Sequence, residues 1–198
     1  MPRFLTSPAA GETLAAIAAA QRLYVSTHIT PDGDTIGSAL GLYWALTSLG
    51  KQVRVACADP VPDIYQFLPG SELVRAQKAQ ADELLVIPDS SDLSRLGALY
   101  DSALFANRTL INIDHHVTNV RFGTVNWIEP RAASTAEIMV EVCDGLKVPI
   151  DDRIATCLLT GIATDTLVFR TSSTTPELLE VAARLMCAGA PLTRIVEV

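Results

Sequence analysis

The chain's three histidines all fall inside two short acidic segments, His28-Ile-Thr-Pro-Asp32-Gly-Asp34 and Asp114-His115-His116. Histidine confined in this way points to coordination or acid–base chemistry rather than packing. Neutral imidazole beside carboxylate makes a mixed nitrogen and oxygen ligand set. Such a set suits Mn2+, Fe2+, Co2+ or Zn2+, with Mg2+ an option where oxygen dominates. In the first segment Pro31 and Gly33 keep the backbone out of a regular helix, so the i, i+4, i+6 spacing lets His28, Asp32 and Asp34 converge from a loop. Asp34 also fits the N-cap of the helix that follows, and Asp32 also fits a turn. In the second segment adjacent imidazoles can point to different partners, one to a metal and one to a substrate. Its plainer alternative is a surface loop with a carboxylate–histidine hydrogen bond.

Two further acids belong with these. Asp89 sits in Pro88-Asp-Ser-Ser-Asp92, ordinary turn composition by itself, with Asp92 placed to cap a helix. Asp165 ends the apolar run Gly161-Ile-Ala-Thr-Asp165, where a carboxylate is costly unless paired or bound to metal. Asn119 and Arg121 follow the second histidine segment, and Arg121 has the chemistry to contact phosphate. Gly37 and Ser38, in a first helical turn, would leave room for a phosphate at the helix N-terminus.

The elements that must position these groups alternate in type. Leu23–Thr27, Gln52–Ala56, Glu83–Ile87 and Thr109–Ile113 read as strands. Helices are expected at the end of an alanine-rich stretch, Leu14–Gln21, and over Thr35–Leu49, Leu96–Phe105, Ala133–Asp144, Asp151–Thr164 and Pro176–Ala188. Asp59–Ser71 holds three prolines and reads as a loop with a short helix near Ile64–Leu68. Strands apolar through their centres and separated by helices predict an α/β fold, a doubly wound and largely parallel sheet with helices on both faces. His28, Asp89 and Asp114 each follow a predicted strand at its carboxyl end, the edge where open α/β sheets bind ligands.

Bulk properties narrow the class. A chain of 198 residues with 49% hydrophobic content makes one domain with a substantial core, and its mean hydropathy of +0.29 excludes a disordered chain. No apolar run approaches the roughly 18–20 residues that span a bilayer. The alanine-rich N-terminal stretch lacks the basic flank of a signal peptide, so a soluble, cytoplasmic protein is expected, with no membrane partner. Four widely spaced cysteines without a C-x-x-C pair predict reduced thiols rather than structural zinc. A net charge of −7 argues against binding long duplex nucleic acid, but not against a small phosphorylated substrate whose charge bound metal could offset.

Taken in order, the segments around Asp32-Gly-Asp34, Asp89, Asp114-His115-His116 and Asp165-Thr166 resemble the four motifs of the DHH phosphoesterase family. Asp32-Gly-Asp34-Thr-Ile-Gly-Ser38 and Asp92-Leu-Ser-Arg95-Leu-Gly97 look most like its bacterial oligoribonuclease and pAp-phosphatase branch, related to RecJ exonucleases. The resemblance implies two divalent ions, manganese first, with magnesium or cobalt as alternatives. It implies His28 and Asp32 on one ion, Asp34, His115 and Asp165 on the other, and Asp89 bridging. His116 would meet substrate or the attacking water, Asp114 would orient the histidines, and Arg95 would serve structure or substrate. Metal-activated water would then attack phosphorus without a protein nucleophile.

The implied substrates are short oligoribonucleotides or 3′-phosphoadenosine 5′-phosphate. Cyclic-dinucleotide hydrolysis, pyrophosphate cleavage and nucleotide binding without catalysis are the alternatives, and a homodimer stays open. Members of this branch carry a C-terminal substrate-binding domain with a glycine-rich, histidine-containing segment. No such segment occurs here, so residues 1–198 are expected to be the catalytic domain by itself.

Overall fold

The structure, a computed structural model, describes residues 3–197. Short apolar runs form five strands: β1 (Arg22–Ser26), β2 (Gln52–Ala56), β3 (Leu84–Pro88), β4 (Leu110–Asp114) and β5 (Val125–Ile128). They pair in parallel in the order β2-β1-β3-β4-β5. The α/β expectation holds. Because β2 lies on one side of β1 and β3 on the other, the strand order reverses between β1 and β3. Connections leaving there diverge and open a crevice at the carboxyl edge.

The two faces of the sheet are covered unequally. Leu23, Val25, Val86, Ile111 and Ile113 point into the main core, beside α1 (Pro8–Ala19), α2 (Gly33–Ser48), α4 (Thr135–Gly145), α5 (Asp152–Asp165) and α6 (Pro176–Cys187). A short α7 (Leu192–Val196) adds Ile195 to that core. Tyr24, Leu85, Ile87 and Leu110 face the opposite way, under a thin cover that includes Leu96, Leu99 and Phe105. The period-two alternation of strand side chains produces this division.

Two expectations need correction here. Leu96–Phe105 is not one helix: a 3-10 turn over Leu93–Leu99 is interrupted at Gly97 (φ +57°), Tyr100 is extended, and Asp101 caps a separate four-residue α3 (Ser102–Phe105). The left-handed glycine and the competing cap outweigh the apolar spacing. The sequence reading also missed β5, a four-residue edge strand with only Trp127 fully buried. It carries too little alternation to register.

Helix α2 packs on α5 through glycines four apart. A Cβ on Gly37 would lie 2.4 Å from the Cys157 carbonyl oxygen, and one on Gly41 would lie 2.4 Å from Leu158 Cδ2. Gly37 is therefore closed against α5, and Ser38 is buried with its hydroxyl donated to Asp34. Neither opens a phosphate site at the helix N-terminus, which corrects that expectation. The four cysteines are unpaired, and no described helix is long and apolar enough to cross a membrane.

Candidate metal centre

The site is assembled at the carboxyl edge of β1, β3 and β4. His28 leaves β1, is buried, and donates Nδ1–H to its neighbour's carbonyl, Ile29 O, at 2.7 Å. A carbonyl only accepts, so this bond fixes the tautomer and leaves Nε2 facing Asp89 Oδ2 at 3.5 Å. His115 follows the same plan. Its Nδ1 lies 3.4 Å from Ala132 O, while Nε2 faces Asp165 Oδ2 at 3.0 Å and Asp34 Oδ2 and Asp89 Oδ1 at 4.0 Å. That Nε2 is buried without a well-aligned hydrogen bond, although three carboxylates surround it.

Asp32, not Asp34, caps α2, accepting from Thr35 N at 2.9 Å. Asp34 lies inside the first turn of α2, fully buried, and reaches the start of α4. There it accepts from Thr135 N at 2.6 Å and Ala136 N at 2.8 Å. A Cβ on Gly161 would fall 2.7 Å from Asp34 Oδ1, so α5 must have glycine where it passes this carboxylate. Asp89 is the hub. It adopts a left-handed backbone (φ +53°), and each carboxylate oxygen accepts from a threonine hydroxyl, Thr35 at 2.6 Å and Thr135 at 3.1 Å. Of the other non-glycine residues with positive φ, Thr30 follows His28, Arg121 follows Asn119 and Leu167-Val168-Phe169 follows Asp165, while Asn107 and Lys147 belong to other segments of the chain. Such strain persists where surrounding structure over-determines the backbone.

Asp114 is buried and organises its loop. Oδ1 accepts from His116 Nδ1 and from the His115 backbone, both at 2.8 Å, and Oδ2 accepts from Asn119 Nδ2 at 2.6 Å. The same Nδ1 lies 3.7 Å from Asp89 Oδ1, which sets His116 beside the hub. The electrostatics reflect crowding. Burial and the charges of Asp89 and Asp165 push the Asp34 carboxyl well up. Burial pushes His115 down, but Asp165, Asp34 and Asp89 outweigh it and raise the imidazole to about 9. Burial also raises Asp89, yet hydrogen bonds from His28 and Thr35 hold it below the usual carboxylate range.

Three groups bring ligand atoms within 4.8 Å of one another: His28, Asp32 and Asp89; Asp34, His115 and Asp165; and Asp89, Asp114, His115 and His116. Converging acceptors with a few shared protons, and an imidazole aimed at carboxylates without an aligned bond, fit divalent cations well. The model described as the DHH family, N-terminal domain, matches residues 22–162, the segment that carries all of these groups except Asp165. The chain belongs to the DHH family.

Relatives within and near the family agree. Over 177 residues the chain is 42% identical to the bifunctional oligoribonuclease and PAP phosphatase NrnA of Thermus thermophilus, covering 88% of this chain and 52% of that protein. An exopolyphosphatase-related protein from Bacteroides fragilis superposes with a TM-score of 0.84 at 28% identity, over 93% of this chain and 58% of the other. The putative family II inorganic pyrophosphatase of Methanococcus jannaschii shares the fold, with a TM-score of 0.66 at 24% identity over 85% of this chain and 57% of the other. The chain spans about half the length of the curated relatives it matches.

The residues singled out in the sequence divide by place. His28, Asp32, Asp34, Asp89, Asp114, His115, His116 and Asp165 come together in the crevice of this DHH-family fold. Arg95 is half-buried beside it. Its carbonyl accepts from Ile29 N at 2.7 Å; burial and, least, the Arg95 charge push His28 down, but Asp89 and the Ile29 carbonyl outweigh them and raise it. Asn119 turns inward, donating to Ser90 O, Asn112 Oδ1 and Asp114 Oδ2. Arg121 is exposed. Sequence reasoning missed Thr35, Thr135 and Asn112. Threonine and asparagine carry no metal signature, and only the fold brings them to Asp89 and Asn119.

Proposed function

We propose that this chain is a divalent-metal-dependent phosphoesterase that hydrolyses short oligoribonucleotides or 3′-phosphoadenosine 5′-phosphate. The observation that carries the reading is Asp89, a buried carboxylate at the end of β3 facing His28 from the end of β1 and both histidines from the end of β4. The names of relatives such as the Thermus thermophilus protein supply the substrate class.

In this reading His28, Asp32 and Asp89 would hold one ion, and Asp34, His115 and Asp165 would hold the other. Two manganese ions, or magnesium or cobalt, would supply positive charge to the phosphoryl oxygens and lower the pKa of water. The chain's own residues do the rest. The carbonyls of Ile29 and Ala132 set the tautomers of His28 and His115, so that Nε2 of each faces the crevice. Asp114 orients His116 towards a phosphoryl oxygen or the attacking water. Asn119 positions Asp114, and Arg95 and Arg121 are candidate anion contacts at the rim. Residues 1–198 act as the catalytic unit of the reaction.

The test is manganese-dependent release of mononucleotide from a dinucleotide and of phosphate from 3′-phosphoadenosine 5′-phosphate. Asp89→Ala should lose more than about a hundredfold, beyond the usual cost of removing an outer-shell partner. Equal turnover in that variant would overturn the reading. One rival reading is nucleotide binding without turnover. Tight binding of the nucleotide at saturating manganese, with no product, would select it.

A further inference from the structure

Thr35 lies in the first turn of α2 and is fully buried. Its Oγ1 is 2.5 Å from His28 Nε2, 2.9 Å from Asp32 Oδ1 and 2.6 Å from Asp89 Oδ2. These three residues form one of the candidate cation groups. A hydroxyl carries one proton. That proton can go to only one of the two carboxylates, and the same oxygen also bonds His28 Nε2, so one hydroxyl is shared among all three groups. An ion at about 2.0–2.2 Å from the same three atoms would lie against that hydroxyl oxygen.

We propose that the Thr35 hydroxyl competes with the metal ion for His28, Asp32 and Asp89. In the metal-free chain it occupies these atoms, and ion binding turns it aside. A helical threonine has two accessible χ1 rotamers, so the hydroxyl can turn away from these atoms. The group formed by Asp34, His115 and Asp165 shares no such hydroxyl: Ser38 donates to Asp34 only. Removing the Thr35 hydroxyl therefore acts on the group of His28, Asp32 and Asp89 alone. This inference rests on the two-ion reading above and adds a competitor that the ligand set by itself does not contain.

The experiment is manganese titration of the metal-free chain, followed by calorimetry and by electron paramagnetic resonance of free Mn2+. Asp32→Ala and Asp165→Ala identify which binding event belongs to which group. Thr35→Ala should tighten the event that Asp32→Ala abolishes by roughly tenfold, the scale of one hydrogen bond to charged partners. The other event should stay unchanged, and Thr35→Ser should bind as the wild type. Unchanged or weaker binding in Thr35→Ala overturns the proposal.

A measurement on the wild type stands apart from how the variant folds. The χ1 couplings of Thr35 should switch on saturation with diamagnetic Mg2+, and a rotamer that stays put overturns the proposal as well. Absence of any manganese binding in the wild type would instead overturn the two-ion reading, and the proposal with it.

Discussion

At the scale of residues, the site is a store of negative charge held together by protons that a cation would displace. His115 shows this most directly. Its imidazole is raised to about 9 by Asp165, Asp34 and Asp89, against the opposing effect of burial. A ligating imidazole must be neutral, so the ion has to expel this proton. Apparent manganese affinity should therefore climb with pH up to about 9, with a proton released on binding at neutral pH. Calorimetry in buffers of different ionisation enthalpy counts that proton, and a flat affinity between neutral pH and about 9 would refute the account. The sign is opposite for folding of the metal-free chain. A raised histidine contributes stability that is full below its unfolded value of about 6.5 and is lost as pH rises through about 9. Asn119 gives a second prediction. Its amide serves Ser90 O, Asn112 Oδ1 and Asp114 Oδ2. Asn119→Ala should cost about 1–3 kcal/mol in urea denaturation by leaving buried acceptors unpaired.

At the scale of elements, what matters is how closely α2 and α5 approach. Asp32 and Asp34 stand at one end of α2 and Asp165 at one end of α5, so the gap between two candidate ion groups depends on the glycine contacts of these helices. Gly37→Ala places a methyl against the Cys157 carbonyl and should destabilise the chain by about 1–3 kcal/mol, the usual penalty of overpacking. Gly11→Ala is the control. Gly11 lies in the interior of α1 with nothing within 4 Å of an added Cβ, so this change should stabilise by about 0.5–1 kcal/mol. Paired denaturation curves check both signs. The same helices show what was legible beforehand. Helical spacing located α2, α4, α5 and α6 within a few residues, because each buries a long apolar face. It failed at Leu96–Phe105, where a left-handed Gly97 and the Asp101 cap divide the run.

At the scale of the whole molecule, ion binding as proposed would be coupled to folding, since the candidate ligands come from segments as far apart as His28 and Asp165. An unfolded chain does not hold them together, so an ion that binds only the folded form stabilises it by mass action. Manganese at a hundred times its dissociation constant should add about 2.7 kcal/mol per site. For a domain of this size that is a rise in melting temperature of about 5–11 °C. A chelator should reverse the shift, and Asp165→Ala should remove part of it. A melting temperature indifferent to manganese would count against any ion in the crevice.

The amino-acid sequence by itself determined the class of fold and the identity of the groups that gather in the crevice. Strand and helix periods are local, and His28, Asp32, Asp34, Asp89, Asp114, His115, His116 and Asp165 stand out by type and by their places after apolar runs. The tertiary structure alone decided how those groups meet. It made Asp32 the cap and buried Asp34 against α4, turned Asn119 inward, and closed Gly37 against α5. It also set the Thr35 hydroxyl against His28, Asp32 and Asp89 at once. Each of these depends on contacts between residues distant in the chain, and neither spacing nor propensity encodes the distance between two helices.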